Sequence, residues 1–356
     1  LLKWFVPLSV VFFAGSLVGD LTHLPPVFSF FLTGIAIIPV AGWMGQATET
    51  LAIYAGPRVG GLLSATFGNA VELIIGIIAL REGLQTLVKA SITGSILGNL
   101  LFVLGISFLI GGIRHPIQRF NVKAARSQSA MLWLSVGVTF VLPAAFAASA
   151  KTDPSVGKVV SFVAAVVALV LYLSGLLFSL YTHRYLFETV HDAGEGHEQP
   201  PLSLWVAVVS LVITTVMVAF ESEWLVGAVK VVGHRLGWSD VFMGVIVIAI
   251  VGNAAEHASA VWMAWKNKME LSTEIAVGST LQVAMFVAPV LLLVSYAIGQ
   301  PMSLLFSWPE LMSMGAAVLL VVVLMLDGES NWLEGALALG AYFVMAVGFF
   351  MLKGLT

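Results

Sequence analysis

Between Trp4 and Leu352 the chain passes through apolar runs long enough to cross a bilayer, separated by short polar or Gly/Pro-rich turns. A hydrocarbon core takes about 20 apolar residues per span, and lipid offers no partner to a backbone N–H or C=O, so each run has to be a helix. Charge, Gly and Pro clusters set the bounds. They place helices at Trp4–Gly19, Val27–Tyr54, Gly60–Leu80, Ile92–Ile110, Ala130–Ala150 and Val159–Tyr181. Five more follow at Leu202–Val232, Val241–Trp265, Ile275–Ile298, Leu311–Leu326 and Trp332–Leu352. The expected fold class is an all-α polytopic membrane protein with about 11 transmembrane helices. Two segments, Val27–Tyr54 and Leu202–Val232, are longer than a span needs and must tilt, project into water or break. With 59% hydrophobic and 10% charged residues among 356, no length remains for a soluble catalytic domain. The first run lacks a small-residue cleavage site and reads as a span, not a signal peptide. Cys is absent, which removes disulfides and thiolate metal sites. Lys and Arg are scattered through short loops of a chain with net charge −3, so nucleic acid is not an expected partner.

Two motifs recur at one spacing. GNAVE at Gly68–Glu72 returns as GNAAE at Gly252–Glu256, and the same shift of 184 positions carries Gly94-Ser95 onto Gly278-Ser279 without a gap. A shared offset for two motifs marks an internal repeat. The expected layout is an N-terminal helix and loop over 1–26, a five-helix repeat over 27–182, an acidic linker over 183–201 and a second five-helix repeat over 202–356. Five is odd, so the copies enter the membrane from opposite sides, and an inverted repeat of this kind places its substrate site near the midplane. Arg114, Arg119, Lys123 and Arg126 favour a cytoplasmic N-terminus.

The repeated Glu is the chemical signal. An acid at the centre of a span costs about 2.5–3.5 kcal/mol on insertion scales, so Glu72 and Glu256 need protons or a cation. Arg81 and Lys266 lie nine and ten residues further on, at the expected membrane edges, and mid-span basic residues are missing. The neighbours are oxygen donors suited to a hard cation such as Ca2+: Ser91, Ser95 and Asn99 on one helix face, Gly278, Ser279 and Gln282 on the matching helix, with Asn69 and Asn253 inside the motifs. Two carboxylates balance one divalent cation or two protons equally well. Protons and Ca2+ must therefore compete for the pair.

GNAVELI and GNAAEH at this spacing, with the Gly-Ser pairs and an acidic segment between the halves, resemble the two signature repeats of the cation/proton exchanger branch of the calcium/cation antiporter superfamily. The resemblance runs from Val27 to Leu352. It implies Ca2+/H+ antiport by alternating access with Glu72 and Glu256 as the shared cation and proton site, in a multi-pass integral protein, of the cell membrane if prokaryotic. The sodium/calcium branch is similar in architecture but carries a further acid on the helix that follows in one half. Here the positions 27 after each Glu are Asn99 and Val283, both uncharged.

Two other readings stay open at this point: a Na+-coupled Ca2+ exchanger, and a passive divalent-cation channel using the same acids as a selectivity element. An enzyme is not expected, since the lone Glu256-His257 pair lacks the second His one turn away that an intramembrane zinc protease needs. His257 could carry protons or join two helices. Glu221 and Glu223 could serve a proton route, or lie at a wet helix end. His191, Asp192, Glu195, His197 and Glu198 in the linker could collect Ca2+ or be solvated. No cofactor is expected; the partners are Ca2+, H+ and the lipid bilayer, and a homo-oligomer is compatible with the sequence.

Overall fold

The computed structural model describes residues 2–149, 154–182 and 200–352. The linker acids from His191 to Glu198 lie outside the described residues. Within them, nine helices are long and apolar enough to cross a membrane: α1 (Trp4–Leu21), α2 (Pro26–Gly56), α4 (Gln85–Arg114), α5 (Val122–Ser149), α6 (Ser155–Thr182), α7 (Leu204–Leu236), α8 (Asp240–Trp265), α9 (Met269–Ala297) and α11 (Trp332–Met351). The shorter apolar α10 (Trp308–Leu324) and the interrupted α3, formed by residues 57–67 and Ala70–Arg81, bring these to eleven. The chain is a multi-pass integral membrane protein, as its apolar runs require.

Several expected ends move, each for a local reason. The overlong α2 does not break within its apolar run; it stops at Gly56, whose φ of 76° no L-residue adopts easily, and residues 57–67 start α3. The helices expected at Ile92 and Ile275 begin earlier, at Gln85 and Met269. Their Gly-Ser pairs consequently sit inside the span and not at its start. Polar residues such as Lys89, Glu270 and Glu274 hid these first turns from a reading based on hydropathy.

The core lies between the halves. The long helices α2 and α7 pack along one another, α1 lies against α2, and α4 runs beside both α8 and α11. Side chains such as Ile37, Leu97, Leu100, Leu225 and Val229 are buried on these helices, while Leu134, Val212, Phe343 and many like them point outward, as a lipid-facing surface permits. Among the described residues five helices contain a π-helical turn, one at the end of α6 (Phe178–Thr182) and four inside spans, at Gly98–Val103, Gly137–Val141, Met243–Ile248 and Val283–Val287. The first and last of these four follow the two Gly-Ser pairs at matching positions. On one face of the bundle a short ladder pairs β1 (Gln118–Arg119) with β2 (Glu329–Ser330), and Arg119 Nε reaches Glu329 Oε1 at 3.0 Å.

Candidate functional site

Identical letters fold differently in the two motifs. In α3 the helix is interrupted at Gly68-Asn69, with Asn69 at φ −100° and ψ 17°, so Glu72 falls in the first turn of Ala70–Arg81. Unpaired N–H groups at a helix start favour an anion there. In α8 the backbone stays helical through Gly252–Glu256, and the irregular turn comes earlier, at Met243–Ile248.

Each glycine seats the other repeat's acid. A Cβ at Gly252 would stand 3.8 Å from Glu72 Cγ, and a Cβ at Gly68 would stand 3.9 Å from Glu256 Oε1. The two carboxylates are close enough to interact electrostatically, and Oε2 of each is sealed from solvent without a hydrogen-bond partner. The ion pair among the described residues is the exposed Arg119–Glu329, so it neutralises neither acid. A small cavity of about 10 Å³ lies beside Glu72, lined also by Ser91, Ser95 and Gly252. That is room for about one water or one bare ion.

The expected shell residues join the repeats. Asn253 Nδ2 donates to Ser95 Oγ at 3.0 Å and to Ala249 O at 2.9 Å, leaving its Oδ1 buried without a partner. Asn69 Nδ2 donates to Gln282 Oε1. Asn99 Nδ2 donates to Ser279 Oγ at 2.9 Å, and the same hydroxyl lies within hydrogen-bonding reach of Glu256. His257 Nε2 meets Asn99 Oδ1 at 3.1 Å and is buried. Of its two expected roles, the contact it makes is the helix-to-helix one.

Ser95 and Asn99, one turn apart on α4, meet Asn253 and His257, one turn apart on α8, as residues on one helix face would; Asn99 also reaches Ser279, and Ser91 and Ser95 line the cavity at Glu72. Glu221 and Glu223 separate. Glu221 is fully buried near the middle of α7, not at a wet end, and Glu223 is exposed. Among the described residues no group of three His, Cys, Asp or Glu side chains converges. A cation at the pair would draw its remaining ligands from amide, hydroxyl and water oxygens, which Ca2+ accepts.

The two Gly-Ser helices pack unequally. Gly94 of α4 is pressed on Val245 of α8, where a Cβ would come 2.1 Å from the carbonyl oxygen. Its counterpart Gly278 in α9 has nothing within 4 Å and borders a cavity of about 380 Å³ that also reaches Gln282. Sequence reasoning missed one polar cluster. Lys89 Nζ donates to Leu305 O at 2.9 Å, and Thr93 Oγ1 donates to Glu310 Oε1 at 3.3 Å, tying α4 to the start of α10. The signal available was a Lys one turn inside α4 and the S-x-x-E capping box Ser307–Glu310.

Comparison with known proteins adds the following. The family model described as sodium/calcium exchanger protein matches residues 26–181 and 206–351. The chain is 49% identical over 352 residues to the Ca(2+)/H(+) antiporter ChaA of Bacillus subtilis, covering 98% of this chain and 97% of that one. It is 47% identical over 338 residues to a Ca(2+)/H(+) antiporter of Synechocystis, covering 90% of each. Its fold is similar to the solved structure of native YfkE, with a TM-score of 0.85, 45% identity and coverage of 98% of this chain and 100% of that one.

Proposed function

Because this chain belongs to the sodium/calcium exchanger protein family, we propose that it exchanges Ca2+ for H+ across the membrane by alternating access, with Glu72 and Glu256 as the shared site. Relatives named as Ca(2+)/H(+) antiporters that align with nearly the whole chain support the choice of ions. The observation that carries the site is the convergence of two repeat-related carboxylates, each against the other motif's glycine and each with a sealed, unpartnered oxygen. Buried acceptors without donors call for a cation or protons.

In this reading Ca2+ sits between the carboxylates with Asn253 Oδ1 and the hydroxyls of Ser95 and Ser279 at hand. Asn69, Gln282, Asn99 and His257 orient those groups across the repeat boundary. Two protons replace the cation, and both loads leave the centre neutral. The pair is charged and unbalanced only when empty, so crossing without cargo is disfavoured and exchange is coupled. The wide approach at Gly278 and the closed one at Gly94 are the two doors of an alternating cycle. Residues 1–26 stand outside two five-helix units, 27–182 and 202–356, joined by the linker 183–201. The bilayer is the working environment, the cell membrane in a bacterium.

The test is 45Ca2+ uptake into proteoliposomes under an imposed pH gradient with the membrane potential clamped. Uptake should follow the pH gradient and vanish in Glu72→Gln and in Glu256→Gln. Uptake driven by a Na+ gradient and indifferent to pH would overturn proton coupling in favour of sodium; uptake that only runs downhill would make the chain a channel.

A further inference from the structure

The mechanism above leaves one buried acid unused. Glu221 is fully buried near the middle of α7, and neither carboxyl oxygen has a hydrogen-bond partner. Its counterpart under the 184-residue shift is Ile37, so the acid is no part of the repeated plan. It points at the seam between α7 and α1, the helix that lies before the matched family region begins at residue 26. The Ser16 hydroxyl of α1 faces it. Phe13, on the same face of α1, packs against Phe220 and Trp224 with ring centroids 6.4 and 5.9 Å apart. The hydroxyls of Ser16 and Ser222 are likewise buried without partners. Four buried polar oxygens thus lie in this stretch of the bundle, with aromatic rings beside them.

Among the described residues no ion pair involves Glu221. The described titratable groups that share α7 with it are Glu223, Lys230, His234 and Arg235, and those on the elements packed against α7 are Asp20 of α1, Glu49 and Tyr54 of α2, Glu72 and Arg81 of α3, and Asp240, Glu256 and His257 of α8. The side chain that reaches Glu221 is Ser16. A carboxylate sealed among apolar side chains without a cation is costly even beside hydroxyl donors, because a hydroxyl supplies no countercharge, whereas a carboxylic acid is neutral and can both donate to a hydroxyl and accept from one. A protonated Glu221 satisfies the Ser16 oxygen and ties α1 to α7.

We propose that Glu221 is a third proton-binding site, separate from the Glu72–Glu256 pair, whose bound proton fastens α1 to the long helix α7. The site takes H+ and no metal: it offers one acid and hydroxyls, too few ligands for Ca2+. Losing the proton leaves a bare charge in the seam, which can be relieved only by admitting water, so the grip of α1 on α7 loosens. The inference stands independently of the exchange reaction, because neither readout below uses Ca2+.

The chain has no Cys and 19 Asp plus Glu residues, so single-residue difference spectra are practical. Infrared spectra of the detergent-solubilised protein in neutral buffer should show a protonated carboxyl C=O band that is missing from Glu221→Gln, and Ser16→Ala should shift the band without removing it. The native state then retains a proton that the unfolded chain releases above about pH 4.3. Native stability must therefore fall as pH rises, and Glu221→Gln escapes that fall. The Tm advantage of Glu221→Gln over wild type should widen by about 2 °C per pH unit toward alkaline buffer. Identical spectra, or Tm curves that stay parallel across pH, overturn the proton site. A band that Ser16→Ala leaves unmoved overturns the link to α1.

Discussion

Gly94 and Gly278 are the same residue at the same place in two copies of one unit, yet they predict opposite results when a methyl is added. A Cβ at position 94 would lie 2.1 Å from the Val245 carbonyl oxygen, where an ordinary C···O contact is about 3.3 Å. The obstruction is backbone, so no rotamer change relieves it, and α4 must withdraw from α8 by about 1 Å. The reciprocal contact is as tight: a Cβ at Gly244 would sit 2.4 Å from Ala90 Cβ. Overpacking of this kind costs about 1–3 kcal/mol or more, against a helix-propensity gain of about 1 kcal/mol for Gly→Ala. At position 278 nothing lies within 4 Å, so the propensity gain stands alone. The propensity gain is common to both, so the two variants should differ by the overpacking cost alone, about 1–3 kcal/mol, or about 2–6 °C in Tm. Thermal unfolding followed by Trp fluorescence in detergent reads this directly. Gly94→Ala should melt lower than wild type and Gly278→Ala at or above it. Equal shifts would refute the claim that one approach is sealed and the other open. If that claim holds, Gly278→Ala should exchange more slowly despite folding well, because the added methyl narrows the cavity that Gly278 borders.

Asn331→Ala removes an N-cap that accepts from the backbone of Leu333 and Glu334 and should cost about 1 kcal/mol of stability, measured as a Tm loss with transport rate unchanged. Arg119→Ala should change Tm by less than about 1 kcal/mol equivalent, since the Arg119–Glu329 pair is largely solvent-exposed; a larger loss would mean that the β1–β2 ladder depends on it. His257→Ala should weaken Ca2+ binding by about tenfold or less through loss of the Asn99 contact, while the pH dependence of binding keeps its shape. A flattened profile in that variant would make His257 a proton carrier after all.

How much of this was legible beforehand depends on what lipid constrains. Apolar runs of fixed length can only be helices, so the spans from Trp4 to Leu352 and the odd-numbered repeat could be read from the letters. The shared offset also singled out Glu72 and Glu256, because chance does not repeat an intramembrane acid in register. Helix starts were lost where polar residues occupy a first turn, as in α4 and α9. The interruption at Gly68-Asn69 was invisible because Gly252-Asn253 has the same letters and stays helical. Glu221 and Glu223 read alike in sequence, and only the packing around α7 seals one and leaves the other exposed.

The central claim is that Ca2+ and protons occupy the same two carboxylates. Its most direct test is the number of protons released per Ca2+ bound, measured by calorimetry of the detergent-solubilised protein in buffers of differing ionisation enthalpy at a pH where the empty pair is protonated. Wild type should release about two protons per Ca2+, and Glu72→Gln or Glu256→Gln should bind too weakly to register. Ca2+ binding at full strength with no proton release, or undiminished binding in either variant, would contradict the account.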